Sequence, residues 1–140
     1  MAMSSLWWTT ILLLALTVST CYGVPTYQDF LYKHVDNTER NKYTNNAAYC
    51  NFMMARPGMH DPRGCKTRNT FVNAPPTALN TLCRNQPNRA LRTTQQQLPV
   101  TVCDLIRSRP TCTYTGNQFN HRVQVGCWGG LPVHLDGTFP

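Results

Sequence analysis

The stretch that decides the fold is CKTRNTF, which runs from Cys65 to Phe71 and places a lysine directly after a cysteine. If Cys65 forms a disulfide, a covalent bond holds the backbone there, because disulfide geometry is narrowly defined. The neighbouring Lys66 can then be aimed in one direction instead of moving freely in solvent. Whether Cys65 forms a disulfide depends on the other cysteines and on the compartment in which the chain folds.

The N-terminal residues have the pattern of a secretory signal peptide. An apolar run from Ile11 to Val18 is too short to span a membrane, and Cys21 and Gly23 fit the small-residue positions of a signal-peptidase site. No lysine or arginine precedes the run, so the α-amino group alone supplies positive charge. We expect a signal peptide of residues 1–23, then one secreted, extracellular domain of residues 24–140 without a membrane span.

Six cysteines remain after residue 23, an even number that predicts three disulfides in a small secreted domain. In the usual model each disulfide adds roughly 2–4 kcal/mol of stability. A zinc site is the competing interpretation, but there is no Cys-x-x-Cys pair and the histidines do not cluster with the cysteines. Spacing alone leaves about 15 pairings open among Cys50, Cys65, Cys83, Cys103, Cys112 and Cys127.

The chain is strongly basic, with 13 lysine and arginine residues against six acidic ones and a formal net charge of +7. Most of the basic residues are arginine, whose planar guanidinium binds phosphate at two points. Such a surface favours a polyanionic partner: nucleic acid, a heparan-type glycan or an anionic bacterial surface. A generic basic secreted protein would have the same charge, so charge alone does not decide.

Three short helices are predicted in the first part of the chain. Phe30 and His34 have helical spacing, which places His34 on the apolar face of the first helix. The apolar residues of Ala47–Met54 predict a second helix that ends near Pro57. A third is expected over Pro76–Leu82, where a proline stands at the first turn.

The second part of the chain has the pattern of β-strands. Residues 98–106, 111–116 and 121–128 alternate in polarity or are rich in β-branched side chains, with Gly, Pro and Asn between them. Residues 84–97 carry three arginines among turn-forming residues and predict one exposed basic loop. Helices followed by an antiparallel sheet predict the α+β class.

The last ten residues, LPVHLDGTFP, place a histidine between two apolar residues. In a strand, Val133 and Leu135 would point to one face and His134 and Asp136 to the other. Taken alone, the stretch favours a solvated terminal strand with an incidental histidine.

Together, these stretches resemble the pancreatic-type ribonuclease family, the ribonuclease A superfamily. The stretch from Cys65 to Phe71 matches Cys-Lys-x-x-Asn-Thr-Phe at all five fixed positions. Residues 30–36 (FLYKHVD) resemble the N-terminal catalytic helix of that family, and residues 132–136 (PVHLD) resemble its C-terminal catalytic strand. Residues 112–127 are similar to its penultimate hairpin, so the resemblance covers essentially the whole predicted domain.

The resemblance implies three short helices packed on a bent antiparallel sheet. No cysteine lies between Cys83 and Cys103, which is typical of the three-disulfide, angiogenin-like or non-mammalian members. The implied disulfides are Cys50–Cys103, Cys65–Cys112 and Cys83–Cys127.

The resemblance also implies a reaction: cleavage of single-stranded RNA on the 3′ side of pyrimidines, through the 2′-hydroxyl, to a 2′,3′-cyclic phosphate. His34 would be the general base and His134 the general acid, while Lys66 would stabilise charge on the phosphoryl oxygens. Asp136 would accept a hydrogen bond from His134. Neither a metal nor a cofactor is implied.

Substrate binding is assigned in the same way. The hydroxyl of Thr70 can pair with cytosine or uracil, because a hydroxyl donates and accepts. Leu135 would lie against the base, and Asn69 belongs to the same substrate-binding set. Lys33 stands where relatives often have a phosphate-contacting glutamine. His60 and His121 match no role and are expected on the surface.

Two alternative functions remain open: an angiogenin-like signalling protein, and a cationic antibacterial host-defence protein. Arg84, Arg89 and Arg92 are the candidate contacts for a heparan-type glycan, a cell-surface receptor or a bacterial surface. The alternative interpretation is that these three arginines belong to a solvated loop and contact no partner. A monomer is expected in each case.

Overall fold

The computed structural model describes residues 25–140, in which short helices lie against one five-stranded antiparallel sheet. The helices are α1 (Tyr27–His34), α2 (Asn46–Met54) and α3 (Thr77–Asn80), with 3₁₀ turns at Glu39–Lys42 and Thr81–Cys83. The strands are β1 (Arg68–Val72), β2 (Leu91–Thr93), β3 (Leu98–Arg107), β4 (Thr113–Trp128) and β5 (Leu131–Phe139). The predicted α+β class is confirmed.

Two expectations concern the membrane and the N-terminus. Within residues 25–140, no helix has the length and apolar character needed to cross a membrane. The predicted signal peptide, residues 1–23, lies outside the described residues.

Side-chain caps set the starts of the first two helices. The Thr26 hydroxyl accepts a hydrogen bond from the Asp29 amide at 3.1 Å, and Phe30 then turns into the core with 2% of its surface exposed. The Asn45 side chain accepts from the Ala48 amide at 2.8 Å in the same way. The predicted helices at both places are confirmed, and α1 ends with His34 in its last turn.

Strand β4 lies at the centre of the sheet because it pairs with three other strands. Its first part, to His121, pairs with β3, and its second part, from Arg122, pairs with β2 and β5. The expectation of a hairpin over residues 112–127 is therefore wrong, since one continuous strand occupies them. Gly116 and Asn117, residue types that favour a turn, stay extended because each has a partner on β3.

The stretch 84–97, predicted as one loop, contains the short strand β2. The Cys127 amide donates to the Ala90 carbonyl at 2.9 Å, and the Arg89 amide donates to the Cys127 carbonyl at 2.7 Å. Leu91 and its neighbour Arg92 are both exposed, so β2 has no buried face. Without a buried face, no alternation marks the strand in the sequence.

Two buried clusters and three disulfides hold the layers together. One cluster, around Phe30 and Leu79, packs α1 and α3 on the sheet, and the other, around Tyr49 and Phe71, packs α2 on it. The disulfides are Cys50–Cys103, Cys65–Cys112 and Cys83–Cys127, which confirms the implied pairings. The covalent anchor beside Lys66 is therefore present.

Helix α2 approaches β4 most closely at Gly116. A Cβ there would stand 2.7 Å from the Cys50 sulfur and 2.9 Å from the Asn46 carbonyl oxygen. We expect Gly116→Ala to lower the free energy of unfolding by about 1–3 kcal/mol, because the helix must shift. Gly137→Ala is the matched control, since its Cβ would meet only the Phe139 ring at 3.5 Å. Equal urea midpoints for the two variants would contradict this packing argument.

Candidate active site

One cleft of about 350 Å³ contains all three predicted catalytic side chains. His34 comes from the last turn of α1, Lys66 from the segment before β1, and His134 from β5. Lys33 and Leu135, two predicted substrate-binding residues, line the same cleft. The fold thus brings together groups from both ends of the described chain.

A backbone carbonyl sets the orientation of His34. Its Nδ1 lies 3.0 Å from the Thr70 carbonyl oxygen, and since a carbonyl only accepts, Nδ1 carries the hydrogen. Nε2 is then left with a free lone pair when the ring is neutral. Burial lowers the pKa of His34 to about 4; the charges on Lys66, His134 and Lys33 act in the same direction, and the Thr70 bond opposes them. The ring is therefore neutral near pH 7.

Lys66 is held by a buried asparagine. Its ammonium donates to Asn69 Oδ1 at 2.8 Å, and the Asn69 amide nitrogen donates to the Lys33 carbonyl at 2.8 Å. With 2% of its surface exposed, Asn69 points inward and positions Lys66, rather than facing the cleft as its expected substrate-binding role requires. Burial, and next the charge of Lys33, lowers the pKa of Lys66 below its usual range.

The backbone of Lys66 is also fixed, by two aromatic side chains. His60 Nδ1 accepts from the Lys66 amide at 3.2 Å, and the Tyr114 hydroxyl donates to the Lys66 carbonyl. The two rings stack with centroids 6.1 Å apart and an interplanar angle of 11°. His60, expected as a surface residue, is half-buried in this contact. No local signal could reveal it, because Tyr114 lies 54 positions away.

His134 differs from His34 in its surroundings. Its side chain is 62% exposed, and its Nε2 lies 3.7 Å from Asp136 Oδ1. That separation suits an ion pair but is longer than a hydrogen bond, so the expected bond is not formed here. The exposed imidazole can exchange protons with solvent. Nowhere in residues 25–140 do three histidine, cysteine, aspartate or glutamate side chains gather as possible metal ligands.

A second cavity, of about 600 Å³, adjoins the cleft on the side of Thr70, and we call it the Thr70 cavity. Thr70 links the two spaces, since its carbonyl holds His34 while its side chain lines this cavity together with Asp136. His121, expected on the surface, also lies here and is half-buried. The remaining lining residues are Arg68, Val102, Asp104, Asn117, Phe119, Gly137 and Thr138.

A third cavity, of about 250 Å³, lies on the other side of His134. It is lined by Leu91, Trp128 and Arg89 among others. Arg89 therefore stands apart from Arg84 and Arg92, with which the sequence grouped it. The cleft and its two neighbouring cavities form a row along β5, because His134 lines the third cavity and the cleft, Leu135 lines the cleft, and Asp136 lines the Thr70 cavity.

The position of Lys33 bears on its expected phosphate contact. Its ammonium lies 3.3 Å from Asp29 Oδ2, one helical turn earlier, and both residues line the cleft. Lys33 is thus held at the mouth of the site by a partly exposed ion pair.

The fold places two imidazoles and a lysine ammonium around one cleft, an arrangement typical of a class of protein that carries out acid–base chemistry. The family model described as "Pancreatic ribonuclease" matches residues 25–136. The chain belongs to the pancreatic ribonuclease family.

Several relatives illustrate this membership. The chain is 75% identical to "Angiogenin" and 68% identical to "Ribonuclease homolog", both from Gallus gallus, over the full 140 residues of each. Among solved structures it is similar to green turtle egg white ribonuclease, with a TM-score of 0.69 and 38% identity. That likeness covers 81% of this chain and 98% of the turtle chain.

The lowered pKa of His34, and the smaller share of the lowering that comes from neighbouring charges, can be tested by NMR. His34 should titrate near pH 4, and Lys33→Gln should move this titration to higher pH, because one of the lowering charges is removed. Lys42→Gln, at an exposed lysine that pairs with Glu39, is the matched control and should leave it unchanged. A wild-type midpoint at the ordinary histidine value of about 6.5 would contradict the burial argument.

Proposed function

We propose that this protein is a secreted, pyrimidine-preferring endoribonuclease that acts on single-stranded RNA without a metal. Family membership supports an RNA-cleaving enzyme. The observation that carries the proposal is the pair of imidazoles in one cleft, one buried and neutral, the other exposed. Secretion rests on the sequence of residues 1–23.

The reaction follows from the positions of three side chains. Neutral His34 Nε2 takes the proton of the 2′-hydroxyl, and the O2′ atom attacks the adjacent phosphorus. Negative charge then grows on the phosphoryl oxygens, where the Lys66 ammonium stabilises it. Protonated His134 gives its proton to the departing 5′-oxygen, which leaves a 2′,3′-cyclic phosphate. Hydrolysis of this product by water reverses the roles of the two histidines.

The preference for pyrimidines rests on the backbone of β1. Thr67 and Asn73 bond to β3, so the hydrogen-bonding groups of alternate residues, including Thr70, face away from the sheet. The Thr70 carbonyl already binds His34, and its amide is directed to the same side. This amide can donate to O2 of either pyrimidine, while the hydroxyl accepts from cytosine or donates to uracil.

Removal of the general acid tests this mechanism. We expect His134→Ala to lower kcat/KM for RNA by about 10²–10⁴-fold with the fold intact, because most of this side chain is exposed to solvent. Wild-type cleavage should follow pyrimidines and persist in EDTA. A substrate with a 2′-deoxy pyrimidine at the cleavage site is the control and should remain intact. Cleavage of that substrate would overturn the 2′-hydroxyl mechanism.

A second function, angiogenin-like signalling or antibacterial defence through a polyanion-binding surface, is favoured by the exposed arginines of the β2 region. Arg84 and Arg92 are exposed and line neither the cleft nor the two cavities beside it. The relative named angiogenin supports the same possibility. Binding at this surface would use charge rather than the catalytic groups.

Charge reversal separates the two functions. We expect the double variant Arg84→Glu with Arg92→Glu to weaken heparin binding in a salt-dependent manner and to keep dinucleotide cleavage. Arg107→Glu with Arg109→Glu makes the same change in net charge at exposed positions around the end of β3, and serves as the control. Equal heparin affinity of the two double variants would show that net charge, not this surface, is responsible.

A further inference from the structure

Strand β4 carries two stacked aromatic rings in the Thr70 cavity. The centroids of Phe119 and His121 are 4.8 Å apart with an interplanar angle of 19°. Phe119 is 42% exposed, so a partner in solution can reach its ring. Because the two residues are two positions apart in one strand, their rings lie on the same face.

The histidine ring is held in place from the next strand. His121 Nδ1 lies 3.0 Å from the Thr138 hydroxyl on β5, so β5 fixes the orientation of the ring. Phe119 stacks on this fixed ring. The pair is therefore a preformed flat surface, and binding a ligand against it costs little side-chain entropy.

The charges of the cavity do not favour an anion at this surface. Arg68 Nε contacts Asp104 Oδ1, and a second carboxylate, Asp136, also lines the cavity. The ion pair neutralises the one arginine present among the lining residues. Attraction must then come from the faces of the rings, and a nucleobase is the part of RNA that stacks on aromatic rings.

The position of the rings indicates which nucleotide reaches them. Thr70 lies in register with Val102 and Asn117, and Phe119 is two residues beyond Asn117 along β4, a rise of roughly 7 Å. Along β5, the residues that line the third cavity and the cleft end at Leu135, whereas Asp136 and Thr138 line the Thr70 cavity, where Thr138 contacts His121. With the scissile phosphate at His134 and the pyrimidine at Thr70, the two rings lie beyond the pyrimidine, on the side away from the phosphate. The 5′ side of a bound pyrimidine therefore points towards Phe119 and His121.

We propose that Phe119 and His121 form a stacking subsite for the base on the 5′ side of the cleaved pyrimidine. This inference rests on the proposed function of the Thr70 cavity. The subsite accepts any base, because every base has a π-face, and binds purines more tightly through their larger rings. Its contribution is nearly independent of salt, since its cause is stacking rather than charge.

Matched substrates test the subsite. The kcat/KM of a cytidine–adenosine dinucleotide is compared with that of a trinucleotide carrying an additional adenosine on its 5′ side. In wild type the ratio of trinucleotide to dinucleotide should exceed one, and Phe119→Ala should lower it by about 5- to 100-fold. Phe119→Trp should restore it. Ile106→Ala removes an exposed apolar side chain outside the cavity and is the control.

The outcomes are distinct. A ratio unchanged by Phe119→Ala would overturn the subsite, and an equal loss on both substrates would assign Phe119 to the pyrimidine itself. If wild type cleaves neither substrate, the proposed function fails, and binding of the 2′-deoxy analogues decides the inference instead. Phe119→Ala should then weaken binding of the longer analogue alone, and equal binding of both analogues by wild type would overturn it.

Discussion

The hydrogen bond between the His34 imidazole and the Thr70 carbonyl is the contact on which the site depends. It joins the end of α1 to β1, and it requires that β1 direct its even-numbered carbonyls away from β3. The same strand turns Asn69 inward, where its amide joins Lys66 to the Lys33 carbonyl. One short strand thereby orients the proposed base, positions the cationic lysine and lines the neighbouring cavity with Thr70.

Burial gives two identical side chains different chemistry. His34 packs between α1 and the sheet, and the loss of solvent lowers its pKa, so that it is a neutral acceptor near pH 7. His134, on the exposed side of β5, remains in contact with water. Under the proposed mechanism, the surroundings of the two imidazoles rather than their identities assign the roles of base and acid.

Several contacts that fix the site come from residues to which no contact with substrate is assigned. His60 and Tyr114 hold both backbone groups of Lys66, and the Cys65–Cys112 disulfide anchors the segment beside it. Such contacts limit movement of the backbone that carries the Lys66 ammonium. Strand β4 contributes to two parts of this region. Tyr114, near its start, holds Lys66, and Phe119 and His121, further along, line the Thr70 cavity.

The sequence by itself determined the α+β class and the helices that carry His34 and Cys50, because these depend on local spacing, whereas the proposed catalytic roles of two histidines and a lysine came from the resemblance. Its count of cysteines predicted three disulfides, although the pairing came only from the resemblance. The tertiary structure alone decided that β4 is continuous, that Asn69 points inward, that His60 contacts Lys66 and that His121 lies in the Thr70 cavity. These features are contacts between segments dozens of residues apart, and burial, which sets the pKa of His34, arises only when those segments pack together.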